Sequence, residues 1–229
     1  MDFSRYSDRH RTSLAHFLNK GKWDPAALEK NLRESVIEKV YQHARKTNQP
    51  VLCIIDDTIA SKTRPSSQAV HPMEATSNHM SHLKGRMDYG HQAIGVMLAC
   101  GELVLNYAIL LYDKSQSKID MVSSIANTLP EPPNIGYLLC DSWYTCDVKV
   151  FFRTTKGKLA LDKYQLRSAT GIRRFWLLMS LTHFLCCVGS GVSFSEGYEY
   201  WQTLVLRNVV QHVYNCGKNG TPLAMLGKG

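Results

Sequence analysis

Val51-Leu52-Cys53-Ile54-Ile55-Asp56-Asp57-Thr58 sets five consecutive apolar residues directly before two carboxylates. An apolar run of that length, without polar alternation, reads as a strand covered on both faces, the pattern of a sheet held between helices. Active sites of open α/β sheets lie beyond the carboxyl ends of their strands, so the acids at the end of the run are candidate functional groups. Ile135-Gly136-Tyr137-Leu138-Leu139-Cys140 repeats the pattern and is followed by Asp141. Two such strands side by side bring Asp57 (or Asp56) and Asp141 together. Carboxylates that close repel, and a divalent cation relieves the repulsion; Mg²⁺ is held by one or two carboxylates and keeps several waters. Two such ions about 3.5–4 Å apart can activate an attacking water or 3′-hydroxyl and stabilise the leaving oxygen of a phosphodiester. The plainer alternative is that the three aspartates only terminate strands.

Working outward, Asp24-Pro25 opens a helix, with Asp24 as N-cap and Pro25 at the first helical position. Leu28, Leu32, Val36 and Val40 recur every four residues and Ile37 widens the stripe, until Asn48-Gln49-Pro50 ends it. A shorter amphipathic stretch precedes it, carrying Leu14, Phe17 and Leu18. After the first strand, residues 61–86 form a polar loop too long for a simple connector. His91 to Cys100 and Leu103 to Tyr112, separated by Gly101-Glu102, predict an antiparallel hairpin. A helix follows over Lys114 to Leu129, stopped by Pro130, Pro132 and Pro133. From Val148 the chain reads helical in three pieces, broken near 168–171 and 189–191, and the glycine-rich tail from Cys216 predicts disorder. The order of elements predicts an α/β fold, a mixed sheet flanked by helices.

Composition narrows the function. The 229 residues carry 27 Lys and Arg against 19 Asp and Glu, a formal charge of +8, which favours a polyanionic partner. Apolar residues at 44% supply a real core. Seven cysteines with no Cys-x-x-Cys read as reduced thiols of a cytosolic protein rather than a disulfide framework or zinc set. His71, His79, His82 and His91 fit no common zinc spacing. The longest apolar run, Phe175 to Val188, is interrupted by Ser180, Thr182 and His183 and falls short of the roughly 20 residues that cross a bilayer, so it predicts a core helix and no membrane partner.

Several segments carry a family resemblance in order. They are Cys53-Ile54-Ile55-Asp56-Asp57-Thr58, then Ser81-His82-Leu83-Lys84-Gly85-Arg86 through Tyr89-Gly90-His91-Gln92, then Leu139-Cys140-Asp141-Ser142-Trp143-Tyr144. Together they resemble the DDE transposases of bacterial insertion sequences, in the branch with a β-rich insertion before the last acid. Phe151-Phe152-Arg153 through Lys156, Leu159, Leu161, Tyr164 and Gln165 is similar to that family's C-terminal catalytic helix, and Ile172-Arg173-Arg174-Phe175-Trp176 to the helix after it. The resemblance covers about residues 1–215.

The resemblance implies an RNase H-like core over 50–215, a partial, basic, helical DNA-binding segment over 1–49 (Arg5, Arg9, Arg11, Lys20, Lys22) and a tail over 216–229. It implies Asp57 as the first catalytic and metal-holding acid, with Asp56 as the fallback if the register is one off, and Asp141 as the second. The family's third acid is the Glu of a Tyr-x2-Arg-x3-Glu-x6-Lys signature. With Lys156 as the closing Lys, the Glu position holds Lys149, and the Arg and Tyr positions hold Thr145 and Ser142. The insertion is missing as well, since Asp141 and Lys149 stand only eight residues apart. Asp147 is a poor substitute, because two residues along a helix turn it about 200° away. The implied protein is a Mg²⁺-dependent transposase, two ions in the intact family, acting on double-stranded transposon ends but internally deleted and inactive. The alternative is a non-catalytic DNA-binding remnant that pairs with or inhibits full-length transposase, and the implied protein partners are a second copy or the full-length transposase. Lys84, Arg86, Arg153, Lys156 and Lys158 are the implied phosphate contacts, with Lys163 on the same basic stretch, whose plainer reading is a solvated face. Trp143 and Tyr144 are candidates for stacking on a splayed base, or for core packing. The expected location is the cytoplasm, in association with the nucleoid.

Overall fold

The first long helix forms where its capping chemistry directs. A computed structural model describes residues 11–69, 73–81, 84–140, 151–152, 155–159, 161–189 and 193–218. In it α1 spans Arg11–Lys20 and α2 spans Pro25–Thr47. The Asp24 carboxylate accepts from the backbone N–H of Ala26 (2.9 Å) and Ala27 (3.1 Å), satisfying two donors that the helix itself leaves open. Asn48 closes α2 in the left-handed conformation (φ 55°), its N–H returning to Ala44 O. Leu32, Val36, Val40, Tyr41 and Ala44 form the buried stripe.

The sheet contains β1 (Val51–Ser61), β2 (Ser77–Ser81), β3 (Arg86–Cys100), β4 (Leu103–Tyr112) and β5 (Gly136–Cys140). β3 is central: β1 pairs with one edge of it, and β2 and β4 pair with it antiparallel in turn, β2 along Arg86–Gly90 and β4 along Gln92–Cys100. β5 lies parallel to β1 on the far side, from Val51↔Gly136 to Ile55↔Cys140. The ladder between β3 and β4 has an irregularity at Val96/Met97 where β4 carries an extra residue. Buried Asn106 beside it donates through Nδ2 to Ala108 O (3.2 Å) and Val96 O (3.4 Å).

Alternation along β1 and β3 divides the core in two. Val51, Cys53, Ile55, Ile94, Val96 and Leu98 pack with α2 and with Met121 and Ile125 of α3 (Lys118–Ala126). Ile54, Ala93, Met97 and Ala99 pack on the other face with Phe151, Phe152, Leu161, and Ile172, Trp176 and Met179 of α4 (Ala169–Gly189). Leu18 of α1 joins that second cluster. α5 (Phe194–Lys218) completes the described chain and packs on α4. No described helix is long and apolar enough to cross a membrane.

Several boundaries differ from those the sequence predicts, β3 among them, since it begins at Arg86 and not at His91. β1 does not stop at the acids but runs on to Ser61, because the long β3 offers partners as far as Gly90. The polar stretch 61–86 holds β2, whose buried positions are His79 and Ser81, so its alternation carries no apolar signal. The helix after β4 begins at Lys118, since an Asx turn (Ser115 N–H to Asp113 Oδ1, 3.0 Å) and a left-handed Lys114 precede the Ser117 cap. α5 continues through Cys216 to Lys218, where the sequence reading began the tail. Arg5, Arg9, His71, His82, Asp141, Trp143, Tyr144, Asp147, Lys149, Arg153 and residues 219–229 lie outside the described residues.

Candidate active site

Asp56 and Asp57 are neighbours in mid-strand, so their side chains leave the sheet on opposite faces. Asp57 is opposite Ile94 and shares the face of α2 and α3. Its Oδ2 accepts from Lys118 Nζ at 2.5 Å, and that ammonium also lies 5.4 Å from the centroid of the Tyr112 ring. Both partners are over a third exposed, 37% for Asp57 and 40% for Lys118.

Asp56 is opposite Gly95 on the second face. Phe151, Phe152 and Leu159 pack on that face. The Phe152 ring sits on Gly95 so closely that a Cβ at that glycine would fall 2.7 Å from Phe152 Cζ. One turn on, Lys156 Nζ donates to Thr58 Oγ1 (2.7 Å) and Ile59 O (3.2 Å). Burial lowers the Lys156 pKa, with Asp162 opposing that effect. Lys156 is therefore a tie to β1, rather than an ammonium presented to solvent. The parallel ladder with β5 ends at Ile55↔Cys140, one residue short of Asp56 and of Asp141 in the sequence.

The other expected phosphate contacts are divided. Lys84 Nζ donates to Asp88 Oδ2 (2.6 Å) and Ser61 Oγ (3.0 Å), and the ammonium holds the Asp88 carboxyl below its usual range. Lys158 lies 4.0 Å from Glu199 Oε1 and over the Tyr198 ring. Arg86 and Lys163 are exposed. Of the histidines, His79 meets Ser77 Oγ at 2.8 Å, and burial lowers its pKa.

His91 belongs to a network the sequence reading missed. Its Nε2 meets Glu74 O at 2.9 Å; a carbonyl only accepts, so Nε2 carries the proton and Nδ1 accepts from Tyr164 OH (2.9 Å). Lys62 Nζ donates to Asp162 O (2.6 Å) and Tyr164 O (2.9 Å) and lies 3.8 Å from the Tyr164 ring centroid. Burial pushes the Lys62 ammonium down to about 8, and the Tyr164 hydroxyl up. The network fastens residues 161–169 to the ends of β1 and β3. Its partners are up to 102 positions apart in sequence, and no local pattern marks them.

The strand order β4-β3-β1-β5, antiparallel except for β1 with β5 and with helices packed on both faces of β1 and β3, is that of an RNase H-like fold. The family model described as "DDE superfamily endonuclease" matches residues 3–178, and the chain belongs to that family. No curated protein and no solved structure matches it. Endonucleases of this superfamily work with divalent metal ions. The donor set limits what these residues can hold: with Asp56 and Asp57 on opposite faces, no single ion takes both, and among the described residues no group of three His, Cys, Asp or Glu converges.

Proposed function

We propose that the protein is an insertion-sequence DDE transposase reduced to a DNA-binding remnant, with Asp56 and Asp141 as its remaining metal-holding acids. The observation that supports the choice of Asp56 is that Phe152 over Gly95 and Lys156 on Thr58 lie on its face of the sheet. The register supports it, because β5 runs parallel to β1 up to the residue before each acid. Asp57, ranked first on resemblance, is instead held by Lys118 on the opposite face.

Two carboxylates suit one Mg²⁺, which would supply charge for polarising a phosphodiester and lowering the pKa of a bound water. They do not suit the three-carboxylate, two-ion arrangement. The resemblance sets Lys149 at the third position, where an ammonium competes with the cation for the same acids. The sequence also lacks the insertion and the Tyr and Arg of the signature, which would support that acid.

The test is a nicking assay on labelled transposon-end DNA with Mg²⁺ or Mn²⁺, beside an Asp141→Asn control. No cleavage is expected, and Lys149→Glu alone should not restore it. Cleavage that Asp141→Asn abolishes would refute the remnant reading. Mn²⁺ binding followed by electron paramagnetic resonance separates the two acids: Asp56→Asn should weaken it and Asp57→Asn should not. The reverse order would return the role to Asp57.

A second reading, pairing with a full-length transposase or a second copy, is favoured by the edge of the sheet. Among the described residues β5 has β1 as its only ladder partner, and adjacent Tyr137 and Leu138, on opposite faces, are 52% and 53% exposed. An uncharged, exposed edge strand is a template for pairing. Sedimentation of the chain alone and mixed with full-length transposase tests it.

A further inference from the structure

The turn between α1 and α2 holds an aromatic arrangement that the candidate active site does not use. The Phe17 and Trp23 rings lie 5.6 Å apart and 13° from parallel. Gly21 makes that possible: its N–H donates to Phe17 O (3.0 Å), and a Cβ there would stand 2.3 Å from the same oxygen and 3.0 Å from Trp23 Cδ1. Any side chain at 21 would push the chain outward and separate the rings. Arg174 of α4 fixes the turn from the protein side. Its Nη1 donates to Leu18 O (3.3 Å) and Gly21 O (3.0 Å), and its guanidinium lies 5.0 Å from the Trp23 ring centroid. While Leu18 anchors α1 in the core, Phe17 is 43% exposed, and Leu14 one turn earlier is exposed too.

The residues that neighbour these rings in sequence are basic. Lys20 and Lys22 are exposed, and α1 contains no acid. The nearest acid in sequence, Asp24, is engaged in capping α2. An apolar protein surface gains little from docking among ammonium groups. A ligand with a flat π-face on a polyanionic backbone satisfies both features.

We propose that Phe17, backed by Trp23, is a stacking platform for an unpaired DNA base, with Lys20 and Lys22 on the flanking phosphates. The proposal rests on the DNA-binding reading above but not on the acid pair. A base laid on the open face of Phe17 extends the stack by one ring, and the platform is tolerant of sequence because every base has a π-face. A blunt duplex keeps its bases stacked on each other and has none to offer. The platform therefore selects frayed or single-stranded DNA.

The test uses the full chain in EDTA, so that no metal site contributes. Anisotropy is measured with fluorescein-labelled oligothymidylate and with a blunt duplex of equal length. Phe17→Ala and Phe17→Leu should weaken oligothymidylate binding about five- to hundred-fold, the range for one stacked base, and leave the duplex unchanged. Phe17→Tyr should stay near the parent, since it retains the ring. Lys22→Ala should flatten the dependence of log K on log salt by about 0.7, and Phe17→Ala should leave that slope alone. Melting temperatures of the variants establish that each remains folded. Full affinity in Phe17→Leu, equal losses on both probes, or a loss of self-association as the only effect of Phe17→Ala would each overturn the proposal. A parent that binds duplex but not oligothymidylate defeats the platform alone; one that binds neither at low salt defeats the DNA-binding reading itself.

Discussion

Gly95→Ala places a methyl group where the tip of the Phe152 ring now lies, and its cost follows from the geometry. The added Cβ would stand 2.7 Å from Phe152 Cζ, and ordinary contact begins at 3.4 Å, so the ring must recede by about 0.7 Å. Phe152 is buried among Met97, Phe151 and Trp176, which leaves little room to recede. Overpacking of this kind costs about 1–3 kcal/mol. For a chain of 229 residues that lowers the melting temperature by roughly 2–12 °C, at about 2–4 °C per kcal/mol. The displaced ring also strains the bond from Lys156 to Thr58. Shortening the neighbour should relieve the clash, so Gly95→Ala with Phe152→Leu should be more stable than the sum of the two single changes predicts, by about 0.5–3 kcal/mol. Urea denaturation of the parent, both single variants and the double variant measures this. A neutral Gly95→Ala, or strict additivity, would show that Phe152 does not sit on β3 as described.

Three further outcomes are expected. Burial holds the His183 imidazole down to about 4, against about 6.5 when unfolded, so between those values the unfolded chain binds a proton that the folded chain does not; stability should therefore rise with pH across that window. The gain is about 3 kcal/mol from this group; denaturation midpoints at pH 4.5 and 7 should converge in His183→Phe, and an unchanged difference would refute the assignment. The Asp57–Lys118 pair is partly exposed, so Lys118→Ala should cost under about 1 kcal/mol by urea denaturation; a larger loss would make the pair a principal tie between α3 and β1. Duplex affinity should fall steeply between 50 and 200 mM salt, by about tenfold or more if several phosphates are contacted, and a flat titration would remove the polyanion reading of the +8 charge.

What the sequence made legible was what local chemistry determines. Asp24, Pro25 and Asn48 bound α2 by capping alone, and the apolar runs are strands at 51–61 and 136–140, but the second is not covered on both faces as its run suggested, since Tyr137 and Leu138 are exposed. Gly101-Glu102 turns β3 into β4, since Gly101 adopts φ 56°, open to a residue without a side chain. β2 was hidden because Ser77-Asn78-His79-Met80-Ser81 buries a histidine and a serine, not aliphatic residues. The network of Lys62, Glu74, His91 and Tyr164 was hidden for another reason. Each member is ordinary in its own neighbourhood, and only the folded ladder brings them together.

The choice between Asp56 and Asp57 lies between those two cases. A run covered on both faces shows that a strand is present but not which helices cover which face, because no polar side marks the difference. Resemblance locates the acidic pair to within one residue, and in a strand one residue is the whole width of the sheet. Three observations bear on that residue, and each is long-range: Phe152 on Gly95, Lys156 on Thr58, and the parallel step from Ile55 to Cys140. All three concern the face or the register of Asp56, whereas the partner of Asp57 is an exposed lysine on the other side. On the proposed reading, the acid that shares a cation with Asp141 also faces the residues after position 149, and has to satisfy both conditions at once. Asp56 is the member of the pair whose described neighbours allow it.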